Sequence, residues 1–359
     1  MFLNYLEVRQ ANLEMYRALG DRQEQCQAQN EAGFVDQIGD ILLQHVEKLC
    51  QPYLTYGPNV VLAEYMVKME TSKNMLFTNF IREREKQAEV RKLPFRHFLI
   101  LPVTRLQRYP LLLSSVLKKT PVGHPDHQAI TKVLDIIRLT ASRVDAQTAI
   151  TKARVRVLQI AHGVRGDANV IEKLQLTDSS RRLFMEGHLT RRSHTGVETI
   201  DLQVFLFDHS IIMTKMKKSL SGEDEYWLSK QPIPLNLLKV QEMAELSILR
   251  SSTTSSNGTT SYANMLPALQ VPSTFALVHL GRHGGTYVLT ADCLADKLAW
   301  KEKITEAKRV REVKYASQEV FDIRILSDTT FHGSSHSSIS LNYGKVLCST
   351  PFGKFTFGD

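Results

Sequence analysis

The side chains Ile130, Val133, Leu134, Ile137, Ala141, Val144 and Thr148 recur at steps of three and four. That spacing gathers them on one face of an α-helix, and no glycine or proline interrupts the stretch until about Gly163. A helix of about 35 residues is about 50 Å long. That length is uncommon inside a compact domain, so the chain is expected to hold two domains with this helix bridging them.

The text on either side agrees. Upstream, helical stripes recur: Ile38, Ile41, Leu42, His45 and Leu49, expected to end at Pro52; then Val61, Leu62, Tyr65, Met66 and Met69 after a Gly57-Pro58 turn. Met75, Leu76, Phe80 and Ile81 form another. Pro102 is expected to separate a short apolar segment, Phe98 to Leu101, from a helix running to about Thr120, before a loop marked by Pro121, Gly123 and Pro125. Downstream of Gly166 the period changes. MEGHLTRRS, IDLQVFLFDHSIIMTK, EYWLSKQPIPL, FALVHLG and GTYVLTA read as strands. SSTTSSNGTTS, Ser251 to Ser261, lies within a flexible loop expected at about 246–273. A closing helix from about Asp292 is expected to use Leu294, Leu298 and Ile304 as one side, with Trp300 near it. Strands followed by one amphipathic helix suggest a small barrel plugged at one end. Strand signals resume from Val320.

Composition narrows the class. With 43% hydrophobic and 23% charged residues, the 359-residue chain reads as a globular protein with room for about two cores. No apolar run approaches the roughly 20 residues that span a bilayer, and MFLNYLEVRQ lacks the features of a signal peptide. Cys26, Cys50, Cys293 and Cys348 form no CxxC pair, which argues against zinc and fits a reducing cytosol. The formal charge of +8 favours an anionic partner without choosing among them. Neither an aromatic-basic RNA motif nor a zinc finger supports nucleic acid. His124 and His127 flank a loop and His332 and His336 sit in a serine-rich one, so solvent-exposed histidines rather than metal ligands are expected. No phosphate-binding glycine loop or nucleophile constellation is present, and no cofactor is expected.

FLILPVTRLQRYPLLLSSVLKKT, Phe98 to Thr120, resembles the third conserved region of Dbl-homology (DH) domains, through Pro102, Arg105, Arg108-Tyr109-Pro110-Leu111-Leu112-Leu113 and Lys118-x-Thr120. GDILL and PYLTYG in the first 65 residues also look like DH sequence. Helices, a long final helix and then strands with a tryptophan-bearing helix match the order of DH followed by pleckstrin-homology (PH) domains. The whole resembles fungal Rho guanine nucleotide exchange factors that continue into a citron-homology domain, whose opening strands SISLNYGKVLCSTPFGKFTFGD resembles.

The resemblance implies a multidomain α plus β fold: a DH bundle over 1–160, a PH-type barrel over 166–312, and the start of a citron-homology β-propeller over 318–359. DH domains begin with a helix carrying a glutamate that meets the GTPase. This chain starts after it, so the resemblance implies a chain truncated at both ends. The implied partner is a Rho-family small GTPase, released from its nucleotide without covalent chemistry. Arg108 falls on the position of a basic residue that meets the switch II region, and Asp145 on the position of an Asn/Asp that meets the same region. Thr104, Gln107 and Arg138 lie beside them on the expected contact strip. The rival expectation is a scaffold fragment that binds lipid or protein without exchange activity. In the strand domain, Arg191 and Arg192 end the first expected strand, and Lys215, Lys217 and Lys218 end the third. In PH folds such ends border the mouth that takes phosphoinositide headgroups, and Arg and Lys suit polyphosphates. An ordinary basic face with weak attraction to anionic lipid, about 1 kcal/mol per residue, is the competing expectation. The implied location is the cytoplasm, with recruitment to the plasma membrane.

Overall fold

The computed structural model describes residues 3–29, 35–192, 199–219, 222–242, 273–281 and 284–315, and four short strands beyond them. The chain divides into two compact units, 1–156 and 157–359.

The first unit is built from α1 (Tyr5–Gln29), α2 (Ile38–Lys73), α3 (Met75–Glu85), α4 (Phe95–Leu117) and most of α5 (Pro125–Gly163). The expected stripe of α5 is its buried face: Ile130, Val133, Leu134, Ile137 and Val144 are at most 3% exposed. They meet Val8 and Met15 of α1, Val46, Leu49 and Tyr53 of α2, and Leu106, Tyr109 and Leu113 of α4. None of the α3 residues is buried.

Two expected boundaries are corrected. α2 runs unbroken through Pro52 and Pro58, and α4 through Pro102 and Pro110. A proline inside a helix removes one amide donor and costs about 3 kcal/mol. Here burial on both sides offsets that cost: Leu49, Tyr53, Tyr56 and Val60 in α2, and Leu99, Leu106 and Leu113 in α4, are all buried. Gly57 is no turn either. It lies where α5 crosses, and a Cβ there would stand 2.4 Å from Val144 Cγ1.

The start of α2 has no cap from its own sequence, because Gln37 offers no side-chain bond. Asp126, in the first turn of α5, supplies one. Its carboxylate accepts from the amides of Ile38 (3.2 Å) and Gly39 (2.7 Å), satisfying two of the donors a helix start leaves open.

The second unit contains a sheet of nine described strands. Its hydrogen-bonded order is β1 (Val164–Arg165), β5 (Asp224–Leu228), β4 (Ser210–Lys218), β3 (Thr199–Phe207), β2 (Leu183–Arg192), β9 (Thr286–Thr290), β8 (Thr274–His279) and β7 (Leu238–Glu242), with β6 (Ile233–Pro234) paired to β4. The run IDLQVFLFDHSIIMTK is a hairpin, β3 and β4, turning at Asp208-His209. The hydrogen-bonded path through the described strands runs from β1 to β7. One face holds Leu189, Val204, Met213, Phe275 and Leu289 around Trp300 of α7 (Leu294–Tyr315). The other holds Phe205, Phe207, Ile212 and Tyr226 against Val157 and Ile160 at the end of α5 and Leu174 of α6 (Ala168–Leu174).

The buried side of α7 is also corrected. Trp300, Ile304 and Ala307 are at most 2% exposed and Lys297 is buried, whereas Leu294 and Leu298 are about half exposed. Steps of 3, 4 and 3 from Lys297 define that face, and it takes the lysine because Glu242 of β7 accepts from Lys297 (2.8 Å) and from Lys301. The loop expected at 246–273 lies, up to residue 272, outside the described residues. Of 318–359 only the strands β10 (Phe321–Asp322), β11 (Ser338–Leu341), β12 (Lys345–Thr350) and β13 (Gly353–Phe357), paired in that order, are described. His332 and His336 lie outside them.

Candidate functional site

Helix α4 buries Leu99, Leu106, Tyr109 and Leu113, a stripe of steps 7, 3 and 4. The turns between them must then face outward. Gln107, Arg108, Leu111 and Leu112 are exposed, and Thr104 is half-buried with its hydroxyl donating to Leu101 O (2.8 Å). Beside this face, α1 and α4 bound an open groove of about 760 Å³. Thr104, Arg108 and Leu112 line it from α4, and Tyr5, Arg9 and Tyr16 from α1. Arg105 joins them, so three arginines and no carboxylate border the groove.

Of the five residues expected on the contact strip, the groove gathers Thr104 and Arg108. Gln107 is exposed on α4 outside its lining. Arg138 and Asp145 are exposed on α5, seven residues apart, on the side away from Ile137 and Val144. Arg138 stands 3.8 Å from Asp135 one turn before it, a surface pair worth little by itself.

A chain of side-chain hydrogen bonds runs along the groove. Arg105 Nε donates to Tyr109 Oη (3.0 Å), and its guanidinium lies over the Tyr109 ring at 5.3 Å. Tyr109 Oη donates to Asn12 Oδ1 (2.7 Å). Asn12 Nδ2 donates to Tyr53 Oη (3.0 Å) and to Val8 O (2.7 Å). Burial pushes the Tyr53 phenol up to about 12, outweighing the bond from Asn12 that lowers it. Sequence reading singled out neither Asn12 nor Tyr53. Its only signal was the spacing of Val8, Asn12, Met15 and Leu19, where one polar residue interrupts an apolar stripe.

In the second unit, Arg191, one residue before the end of β2, has its Nε buried with no hydrogen-bond partner among the described residues. Arg192 extends the strand by pairing with Thr199; its side chain lies outside the described set. Lys215, Lys217 and Lys218 are exposed at the end of β4. Alternation puts Lys215 and Lys217 on one face and Lys218 on the other. Acidic neighbours that the sequence reading did not weigh stand opposite: Lys217 pairs in register with Glu225 and Lys218 with Asp224. Lys217 Nζ also sits 5.0 Å from the centroid of the half-exposed Trp227 ring.

His124 and His127 are both half-buried rather than solvent-exposed as expected. His124 is 30% exposed and wedged between two carboxylates: its Nε2 is 2.9 Å from Asp36 Oδ1, and its Nδ1 accepts from the Asp126 amide at 3.2 Å. Asp36, His124 and Asp126 bring their ligating atoms within 4.8 Å of one another. Hydrogen bonding within the protein accounts for this arrangement: Asp126 caps α2, and its amide donates to His124. No helix among the described residues is long and apolar enough to cross a membrane.

Comparison with known proteins adds family evidence. Residues 1–145 match the RhoGEF domain model, and residues 183–308 match a pleckstrin homology domain model. The chain is 34% identical over 309 residues to Rho1 guanine nucleotide exchange factor 1 of Schizosaccharomyces pombe, covering 85% of this chain and 22% of that protein. It is 26% identical over 320 residues to human Rho guanine nucleotide exchange factor 16, covering 86% of this chain and 41% of that protein. The chain thus spans well under half the length of these relatives. The crystal structure of the DH/PH domains of p115-RhoGEF superposes with a TM-score of 0.58 at 15% identity, covering 85% of this chain and 80% of that one, a likeness of fold. The chain therefore carries a RhoGEF (DH) domain followed by a pleckstrin homology domain.

Proposed function

We propose that the chain promotes GDP release from a Rho-family small GTPase by binding its switch regions and stabilising the nucleotide-free state. The observation that carries this reading is the sequential match to a RhoGEF and a pleckstrin homology domain within a span 34% identical to a Rho1 exchange factor. An exchange factor that binds the empty GTPase more tightly than the loaded one weakens nucleotide affinity by the same factor, with no covalent step. A rigid helical face suits that task, and the exposed side of α4, with Arg108 and Thr104 at its groove, supports the assignment of that face. In this reading Arg108 and Asp145 meet the GTPase directly, and Thr104, Gln107 and Arg138 extend the contact. The DH domain occupies 1–160, the PH domain 166–312, and 318–359 begins a citron-homology domain.

The PH domain directs the protein from the cytoplasm to anionic membrane, with Arg191, Arg192, Lys215, Lys217 and Lys218 facing phosphoinositide headgroups. The buried Nε of Arg191, without a partner among the described residues, supports a ligand there, while Asp224 and Glu225 opposite the lysines moderate its strength.

Release of a fluorescent GDP analogue from a panel of Rho-family GTPases tests the exchange reading. Arg108→Ala and Asp145→Ala are each expected to slow release at least about tenfold, a loss of about 1.4 kcal/mol in transition-state binding. Rates equal to the unsubstituted chain in both variants remove these two residues from the contact. No release from any GTPase in the panel leaves a lipid- or protein-binding scaffold.

A further inference from the structure

Helix α4 has two weak points. Pro102 and Pro110 lack amide protons, so the carbonyls of Phe98 and Leu106 have no donor four residues on. The outward residues Thr104, Gln107 and Arg108 lie between these two breaks. A contact face in such a place needs support from outside its own helix if it is to keep its orientation.

Two tyrosines of α2, three residues apart and therefore on one face, reach α4 on either side. Tyr56 Oη donates to Leu99 O at 3.0 Å, close to Pro102. Tyr53 terminates the chain of bonds that begins at Arg105, and the direction of that chain is fixed by chemistry. A guanidinium only donates, so Tyr109 Oη accepts from Arg105 and must pass its own proton to Asn12 Oδ1. That turns the Asn12 amide so that its two protons meet Val8 O and Tyr53 Oη. Every donor of the Asn12 amide is used. The Arg105–Tyr109 bond lies within α4 and sets the Tyr109 hydroxyl, and a rotation of α4 about its axis breaks the bond from Tyr109 to Asn12 that ties the helix to α1.

We infer that Arg105, Tyr109, Asn12 and Tyr53 are positioning residues that hold the α4 face, and with it Arg108, in the orientation that engages the GTPase. This inference rests on the exchange-factor reading. The network acts through Arg108 rather than by touching the partner.

The test uses the full chain with Tyr109→Phe, which deletes one oxygen and keeps the packed ring, and with Asn12→Leu. Two quantities are read: kcat and KM for release of fluorescent GDP from the Rho-family panel, and amide hydrogen exchange over residues 103–113. Both variants are expected to lower kcat about tenfold, the scale of one lost hydrogen bond to a charged network, with KM within about twofold. They are also expected to speed amide exchange across that stretch. Arg108→Ala is expected to lower kcat while leaving amide exchange unaltered.

A Tyr109→Phe variant with the unsubstituted kcat, or with unaltered protection over 103–113, overturns the inference. So does lower thermal stability with unchanged kcat, which marks a purely structural bond. An unsubstituted chain inactive across the panel overturns the exchange-factor reading itself, and the amide measurement then decides alone whether the network fixes α4. If Asn12→Leu fails to fold, Tyr109→Phe carries both readouts.

Discussion

Asp208, at the turn between β3 and β4, shows what one residue can contribute. Burial raises its carboxyl, but bonds from His209 and the Arg182 amide and the charge of Arg181 outweigh that and bring it to about 2. Arg181 Nη1 lies 3.0 Å from Oδ2, and the pair is only 12% exposed on each side. A carboxylate held below its unfolded value of 3.8 adds stability that is complete above about pH 4 and lost as pH falls toward 2. With screening by nearby solvent the gain is about 1 kcal/mol. Asp208→Asn is therefore expected to lower the stability of the second unit at pH 7 by at least that amount, since it also strands the buried Arg181. Urea unfolding at pH 7 and pH 2.5 checks this: the gap between variant and parent should shrink at the lower pH, and a constant gap would refute the linkage. The sequence showed the residues of this pair but not their meeting, because Arg181 and Asp208 stand 27 positions apart and only the β2–β3 pairing aligns them.

At the scale of elements, α7 separates pattern from packing. Leu294 and Leu298 look like the buried side in sequence, yet Trp300, Ile304 and Ala307 fill the core while both leucines face water. The ring of Trp300 lies over Gly187 of β2, where a Cβ would come within 3.3 Å of it, so a residue without a side chain eases the close packing of helix on strand. Trp300→Ala is expected to cost about 3–5 kcal/mol, and Leu298→Ala less than about 0.5 kcal/mol. Thermal or urea unfolding of the two variants decides the face; comparable losses would place Leu298 in the core. The same lesson applies to α2 and α4, where four prolines failed to stop a helix. Proline removes one bond, and a stripe of buried tyrosines and leucines outweighs it.

For the molecule as a whole, the proposed roles fall on separate surfaces: the α4 and α5 faces in the first unit, and the ends of β2 and β4 in the second. Net charge of +8 belongs to the whole chain and chooses neither. If the roles are separate, the joint change Arg191→Ala and Arg192→Ala is expected to weaken sedimentation with phosphoinositide-containing vesicles about tenfold while leaving GDP release in solution unchanged. Arg108→Ala should do the reverse. Unaltered vesicle binding in the paired variant would leave only a diffuse attraction to anionic lipid, because point charges near a surface act additively and weakly.

The sequence by itself determined that helices come first and strands after, and the long stripe of α5, since a period of 3.6 and a period of 2 are local properties that neighbouring residues express directly. It also carried Arg108 and its surrounding motif. It could not show that α2 borrows its cap from Asp126, 88 residues from Ile38, that Asn12 of α1 joins Tyr109 of α4 to Tyr53 of α2, or that Asp224 and Glu225 face the lysines of β4. Those facts depend on which distant groups meet once the core has closed. Hydrogen bonds and charges act over a few ångströms, so only the tertiary structure could decide them.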